Sequence, residues 1–527
     1  MRQGSLRTYE YNLALRFQRI AEERPGEIAI WSGAGETANY ETLNQQANAI
    51  ARMLLTEGVV EREVVCLSGE KSLYTFAAMI ACLKIGAIYC VLDPDTPPAR
   101  LRKIFGTCRP KVVLGEQDFL ENIQSVIDEL KIETISKTSS TLIQKISKFD
   151  VQNLGESNAL TGANPAYIMF TSGSTGVPKG AVMTHANVLN LIKWSRETFG
   201  ITSADKLTNV NPLFFDNSVF DFFASLFNGA QLVPFSKSEV ADPQVLLRKI
   251  DAAKCTLWFS VPSLLIFLQT MRATDGRSLR SIRRFIFGGE GYPKSKLKKL
   301  YDVYKDSSEF FNVYGPTECT CICSSYQLTD EDFNNLQGLP PLGHIAPNFS
   351  FFILAEGDRN AGPDEIGELC LAGPNVGLGY YNDLQRTETS FSQNPLNDRF
   401  RELIYRTGDL ARLNPADGKL YIEGRKDNQI KHMGYRIELE EIETALYSLE
   451  YVSEAVVIHN NVKGLSRLIA VIASPEEIDP DLIRKDLRQI IPGYMIPAVF
   501  YYEQILPKNA NGKVDRIRLQ SQYSEST

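Results

Sequence analysis

Tyr167-Ile168-Met169-Phe170-Thr171-Ser172-Gly173-Ser174-Thr175-Gly176-Val177-Pro178-Lys179-Gly180 is an apolar run that breaks into a hydroxyl- and glycine-rich turn ending in lysine. It reads as a strand feeding a phosphate-holding loop. Ile168, Met169 and Phe170 supply the strand's apolar side chains, the glycines let backbone N–H groups approach an anion, Ser and Thr add hydroxyl donors, and Lys179 adds positive charge. A Walker A loop needs Gly, four residues, then Gly-Lys-Ser/Thr. Here Pro178 stands directly before the lysine and Gly180 follows it, so the usual nucleotide-hydrolase reading is excluded.

N-terminal to this loop the chain alternates helical and strand patterns. Leu43, Ala47, Ile50, Ala51 and Leu54 recur at helical spacing, a strand follows at 63–67, and a helix at 72–85 runs through Gly86 into the apolar strand 87–92. Such alternation predicts α/β layers with largely parallel sheets. Residues 120–160 are polar and rich in Ser, Thr and Lys, and are expected to form a surface excursion. From Gly362 to Leu413 short strands and glycine turns predict a β-rich subdomain. Past Asp427 a helix at 438–449, strands at 452–459 and 466–473 and a helix at 480–491 predict a compact α+β unit. The expected organisation is α/β throughout: a body of two α/β sheet subdomains plus the β-rich subdomain over 1–426, and a small α+β domain over 427–527.

At 527 residues the chain is long enough for roughly three or four units at ~150 residues each. Hydrophobic residues at 43% and charged residues at 23% are those of an ordinary globular protein, and no apolar run reaches the ~18 residues of a membrane span. The N-terminus lacks the apolar core of a signal peptide, which predicts a cytoplasmic protein. A net charge of −7 argues against broad nucleic-acid binding, which needs a basic surface, but leaves room for a single nucleotide. Nine cysteines form no disulfide framework. Cys319, Cys321 and Cys323 alternate as on a strand, but with four histidines in the chain and no second Cys pair the expected role is packing, not metal binding.

Four further polar clusters sit where apolar strands end, which is where α/β enzymes place their sites. They are Asn312-Val313-Tyr314-Gly315-Pro316-Thr317-Glu318; Tyr405-Arg406-Thr407-Gly408-Asp409; Gly424-Arg425-Lys426-Asp427-Asn428-Gln429-Ile430-Lys431; and Pro507-Lys508-Asn509-Ala510-Asn511-Gly512-Lys513-Val514-Asp515-Arg516. With the 171–180 loop, and in this order, they resemble the adenylate-forming superfamily of acyl-CoA ligases, luciferases and nonribosomal peptide synthetase adenylation domains, over roughly residues 12–517. The resemblance implies an enzyme that joins a carboxylate to ATP, releases pyrophosphate, and passes the acyl group to a thiol.

It also implies roles. Thr171, Ser172, Gly173, Ser174, Thr175 and Lys179 match the triphosphate-contacting loop. Asn312 would read the adenine amine and Tyr314 would stack on the base, with Thr317 beside the phosphate and Glu318 as the Mg²⁺ ligand. Asp409 would accept both ribose hydroxyls, and Arg425 would lie near the ribose and phosphate, unless it is only a structural ion pair. Lys513 would bridge the substrate carboxylate and a ribose-phosphate oxygen during adenylation. Asp427 matches a hinge about which the small, mobile domain swings to present a second face, with Lys431 and Gly434 on it; Lys431 could equally be an ordinary strand lysine.

Asp216, in Phe214-Phe215-Asp216-Asn217-Ser218-Val219-Phe220, separates the branches of the superfamily. Amino-acid-activating members pair an aspartate there with the substrate ammonium, whereas a fatty-acyl enzyme would bury that carboxylate without a partner. Its rival role is to cap a helix starting near Ser218. Matching by motif gives a specificity set of Asp216, Asn217, Phe220, Phe259, Ile286, Gly288, Val313, Cys321, Ile322 and Lys513. It is mostly apolar, with Gly288 expected to leave depth, and predicts a branched or medium aliphatic amino acid. Asn217 fits less well, and would either shorten the pocket or bind a polar substituent. The sequence ends at Thr527 with no Gly-x-Asp-Ser segment after Lys513, and no condensation domain precedes the body. For a complete chain that leaves a separate carrier protein's phosphopantetheine thiol as acceptor, as in the stand-alone D-alanyl carrier protein ligases. The alternative is an acyl-CoA ligase acting on a fatty or aryl acid.

Overall fold

The computed structural model describes residues 10–33, 36–137, 139–274, 276–347, 349–462, 465–474, 476–508 and 514–524. A seven-stranded sheet forms from strands Val64–Ser68, Ile88–Leu92, Val112–Gly115, Glu133–Ser136, Pro165–Thr171, Lys179–Thr184 and Gly379–Tyr380. Its first five strands pair in parallel, and Lys179–Thr184 turns back antiparallel on Pro165–Thr171. Val64–Ser68 and Ile88–Leu92 are buried at every position, which is why they read as unbroken apolar runs rather than alternating ones.

Helix Leu73–Ile85 follows the same logic. Every residue from Thr75 to Ile85 is buried, as expected of a helix with no polar face. The Ser72 side chain caps its start and Gly86, at φ 71°, ends it. The left-handed φ is what favours glycine there; a side chain at 86 would also press on the Leu160 methyl at 2.6 Å and the Glu61 stem at 2.9 Å, which would have to shift.

The 120–160 expectation needs correction. Glu133–Ser136 is not part of a surface excursion but the edge strand of the seven-stranded sheet, parallel to Val112–Gly115, and Leu142 and Ile146 are buried in the main core. Lys137, 2% exposed, is held by the Ser68 carbonyl, the Thr75 hydroxyl and Glu70. The elements there are short and show solvent one face, so their polar residues outnumber the few that anchor them.

A nine-stranded sheet carries Leu257–Ser260, Arg284–Gly288 and Glu309–Tyr314 as parallel neighbours. A five-stranded antiparallel sheet over Ser350–Arg425 is the predicted β-rich part. It ends with Leu420–Arg425; the two-stranded hairpin Gln429–His432 and Tyr435–Glu438 begins just beyond Asp427. Helix Leu439–Tyr447, the three-stranded sheet Glu454–Val462, Leu465–Ala473 and Val499–Glu503, and helix Pro480–Leu487 complete a smaller α+β C-terminal domain with its own core around Ile442, Leu446, Val457 and Ala470. No helix among the described residues is long and apolar enough to cross a membrane.

Candidate active site

The 171–180 loop joins two antiparallel strands, with Thr171 opposite Lys179 in the register. Its glycines are forced: a side chain at Gly173 would sit 2.1 Å from the Val177 carbonyl oxygen, and Gly176 has φ 72°. Thr171 and Ser172 face a cleft. The Thr171 hydroxyl is buried with no hydrogen-bond partner among the described residues, so it is available to a ligand. Ser174 and Thr175 are exposed at the tip.

The same cleft collects Asp216, Asn217, Tyr314, Thr317, Asp409, Arg425 and Lys431 from distant parts of the chain. Asp216 stands at the N-cap of helix Asn217–Leu226 without making a side-chain cap bond. Its Oδ2 instead accepts from the Thr317 hydroxyl at 2.6 Å, so the capping role is not the one it plays. Burial raises its pKa, opposed by the Thr317 hydrogen bond and, at longer range, Lys431. Asp409, 6% exposed, accepts from the Tyr314 hydroxyl at 2.5 Å and from Arg425 at 2.6 Å. Arg425 also donates to Asp427 at 2.6 Å, so the ion pair foreseen for it is present and lies on the cleft wall. Asn312 donates its amide N–H to the Pro341 carbonyl at 2.8 Å, leaving its own amide oxygen as acceptor.

The rest of the apolar specificity set does not line this cleft. Phe220, Phe259, Ile286, Val313, Cys321 and Ile322 are buried, with the Phe220 and Phe259 rings 4.9 Å apart edge to face. Gly288 does not leave depth as expected. A side chain there would meet the Val313 carbonyl oxygen at 2.4 Å, so glycine is required by the approach of the neighbouring strand. Nor do Cys319, Cys321 and Cys323 alternate on a strand. Cys319 ends a 3₁₀ turn, Thr320 and Cys321 have φ 61° and 72°, and the strand starts at Ser324. All three thiols are buried, with pKa values pushed up by burial, and no metal-holding cluster occurs among the described residues.

Glu318 is fully buried; its carboxylate accepts from Arg436 at 2.7 Å and from the Tyr380 hydroxyl at 2.8 Å. Burial alone would raise its pKa, but Arg436, Lys179 and Tyr380 outweigh it and hold it at about 2. It is therefore a permanent anion already engaged with a cation, a donor chemistry that fits a divalent metal. The hairpin 429–438 brings Lys431 and Gly434 into the cleft, where the Lys431 ammonium lies 5.6 Å from the centre of the Tyr314 ring and burial lowers its pKa. Lys179 pairs with Glu438 at 3.1 Å, and Arg100 pairs with Glu441. Arg100, Tyr380, Arg436, Glu438 and Glu441 were not anticipated. The available signal was charge on otherwise apolar faces, as with Arg100 one turn from Ile104 in helix Pro98–Cys108. Lys513 lies outside the described residues. Its neighbours Lys508 and Val514 form an isolated bridge and Lys508 pairs with Glu454, within the C-terminal domain.

The AMP-binding enzyme family model matches residues 17–381, and the model for the AMP-binding enzyme C-terminal domain matches 441–513. The chain is 32% identical over 501 residues to a dimodular nonribosomal peptide synthase of Bacillus subtilis (strain 168), covering 95% of this chain and 20% of that one. It is 30% identical over 508 residues to zwittermicin A synthase ZmaJ of Bacillus cereus, covering 95% of this chain and 93% of the relative. A fold match is an artificially fused adenylation–PCP di-domain NpsA-ThdA from Klebsiella oxytoca, with TM-score 0.81, 22% identity and 98% coverage of each chain. The chain thus spans about a fifth of the length of the dimodular synthase.

Proposed function

Because the chain belongs to the AMP-binding enzyme family, as an adenylation domain of the nonribosomal peptide synthetase type, we propose that it activates an amino acid with ATP and passes it to the phosphopantetheine thiol of a carrier protein. The observation that carries the amino-acid reading is Asp216, a carboxylate set in the cleft wall and held by a hydroxyl rather than by a cation. That geometry suits an incoming ammonium, which would supply the missing counter-charge.

In this reading the substrate carboxylate oxygen attacks the α-phosphorus of ATP, the bond to the β-phosphate breaks, and pyrophosphate leaves. Repulsion between carboxylate and triphosphate is the barrier, and fixed donors and cations offset it. Thr171, Ser172, Gly173, Ser174, Thr175 and Lys179 hold the phosphates. Asn312 and Tyr314 hold the base, Asp409 and Arg425 the ribose side, and Thr317 sits between Asp216 and the phosphate. Lys513 neutralises the reacting oxygens. Glu318 would hold Mg²⁺, which supplies charge neutralisation when bound. The thiol then attacks the acyl carbon, the bond to AMP breaks, and a thioester forms.

Residues 1–426 and 427–527 act as two units joined at Asp427, and Lys431 and Gly434 in the cleft belong to the thiol-transfer arrangement. The substrate is an aliphatic amino acid: the specificity positions Phe220, Phe259, Ile286, Val313 and Ile322 are all apolar and buried, and offer no partner to a charged side chain. Nine free, buried cysteines suit a reducing cytoplasm. The test is ATP–pyrophosphate exchange over a panel of amino, hydroxy and fatty acids. Exchange with an aliphatic amino acid, abolished in Asp216→Ala and severely reduced in Lys513→Ala, is expected. Silence for every amino acid with turnover of a fatty or aryl acid would replace this reading with an acyl-CoA ligase.

A further inference from the structure

A buried polar network joins two segments that carry specificity positions. Asp221 lies one turn beyond Asn217 on the helix Asn217–Leu226, and its Oδ2 accepts from the side-chain amides of Asn209 at 2.9 Å and Asn211 at 3.0 Å. Each amide gives its second N–H to backbone, Asn209 to the Asn211 carbonyl at 3.4 Å and Asn211 to the Phe259 carbonyl at 3.0 Å. Lys71 donates to the Asn209 carbonyl at 2.6 Å. Asn209, Asn211 and Asp221 are 0%, 5% and 0% exposed. Asp221 Oδ1 is buried with no hydrogen-bond partner among the described residues, and burial pushes the Asp221 pKa up to about 7 against the opposing pull of the two amides and Lys71.

An apolar residue at 221 would bury the helix at less cost, because a carboxylate held mainly by neutral donors is expensive to desolvate. What apolar packing does not supply is direction: cores of similar volume repack, and lose a unique arrangement before they lose stability. Asn211 does supply it. Its amide nitrogen touches Asp221 on the helix and the Phe259 carbonyl on the strand Leu257–Ser260, so two hydrogen bonds in series set the spacing between helix and strand. The rings of Phe220, the residue beside Asp221, and Phe259 meet edge to face at 4.9 Å. We propose that Asp221 and Asn211 are positioning residues for substrate selection, holding the helix 217–226 and the strand 257–260 at the separation that decides which side-chain length is accepted. The proposal rests on the adenylation reading above, which makes Phe220 and Phe259 selecting positions.

A network that only braces the fold and one that sets selectivity differ in what their loss changes. The experiment is ATP–pyrophosphate exchange by the full chain with the preferred aliphatic amino acid and its homologues one methylene shorter and longer, reading kcat/KM for each. One methylene is worth about 10- to 200-fold in a fitted apolar site. Asn211→Ala and Asp221→Leu should each shrink the wild-type ratio between homologues by about fivefold or more, a substantial part of that range. Asp221→Asn, which keeps an oxygen able to accept both amides, should retain the ratio. Should Asp221→Leu fail to fold, Asn211→Ala carries the comparison, since it leaves Asp221 with the Asn209 amide. A uniform fall in kcat/KM for all homologues at an unchanged ratio overturns the proposal. Failure of both variants to fold also overturns it, because the network is then a requirement of the fold. Exchange with an aliphatic amino acid in the wild type, at a ratio the variants do not alter, defeats this inference alone; no exchange with any amino acid in the wild type defeats the functional reading and this inference with it.

Discussion

Asp216→Ala gives the sharpest separation between binding chemistry and fold. Truncating one partner of a buried, hydrogen-bonded charge pair costs about 2–5 kcal/mol, equivalent to about 30- to 4,000-fold in affinity or kcat/KM. That loss applies only to a substrate bearing an ammonium group. For the des-amino analogue the wild-type protein holds a carboxylate whose ionised form burial already disfavours, so the variant should accept the analogue at least as well as the wild type does. The helix Asn217–Leu226 should be indifferent, because Asp216 makes no cap bond that could be lost; a true cap would cost about 1 kcal/mol. The assay is ATP–pyrophosphate exchange for wild type and variant with the preferred amino acid and its des-amino analogue, alongside thermal melting. Equal losses of kcat/KM for both substrates would refute the pairing.

Gly434→Ala should keep exchange and impair aminoacyl transfer to a carrier, measured as single-turnover thioester formation. Its φ of 86° disfavours a side chain by about 1–2 kcal/mol, and the added carbon would meet Val261 at 2.9 Å. Gly288→Ala should lower the melting temperature, with overpacking costing about 1–3 kcal/mol or more, rather than change substrate choice. A shift in substrate preference at unchanged stability would restore the view that Gly288 opens the pocket. His185 is buried, accepts the Leu13 N–H on Nδ1 at 3.0 Å, and burial pushes its pKa down to about 4. The unfolded chain takes up this proton below about pH 6.5 while the folded one resists it until about 4. Its contribution is therefore intact above pH 6.5 and about 3 kcal/mol is lost as the pH falls to 4. Urea unfolding at a series of pH values should show this slope, and His185→Gln should flatten it.

Much of the architecture is legible in the sequence because buried parallel strands and their helices carry strong patterns. The helix 72–85 with Ser72 before it and Gly86 after it, and the apolar strand that follows, fall where the pattern places them. The same reading fails at 120–160, where short half-solvated elements have too few residues to establish a period. It fails at Cys319 to Cys323 because alternation of residue type survives in a segment whose backbone turns through left-handed φ. In the cleft, Thr171, Asp216, Thr317 and Asp409 are legible because loops at strand ends advertise themselves by composition. Arg436, Glu438 and Glu441 are not. They lie in an ordinary-looking run, Arg436-Ile437-Glu438-Leu439-Glu440-Glu441, whose meaning depends on a surface more than two hundred residues earlier in the chain.

The missing cap at Asp216 has a further bearing. A residue that both recognises a ligand and holds a helix end can change only at the expense of one duty. At 216 the two duties are separate, since the helix begins there without help from the side chain. Substitutions at this position can thus redirect substrate choice without loosening the helix start, and a replacement that still accepts from the Thr317 hydroxyl would keep the one contact the side chain does make.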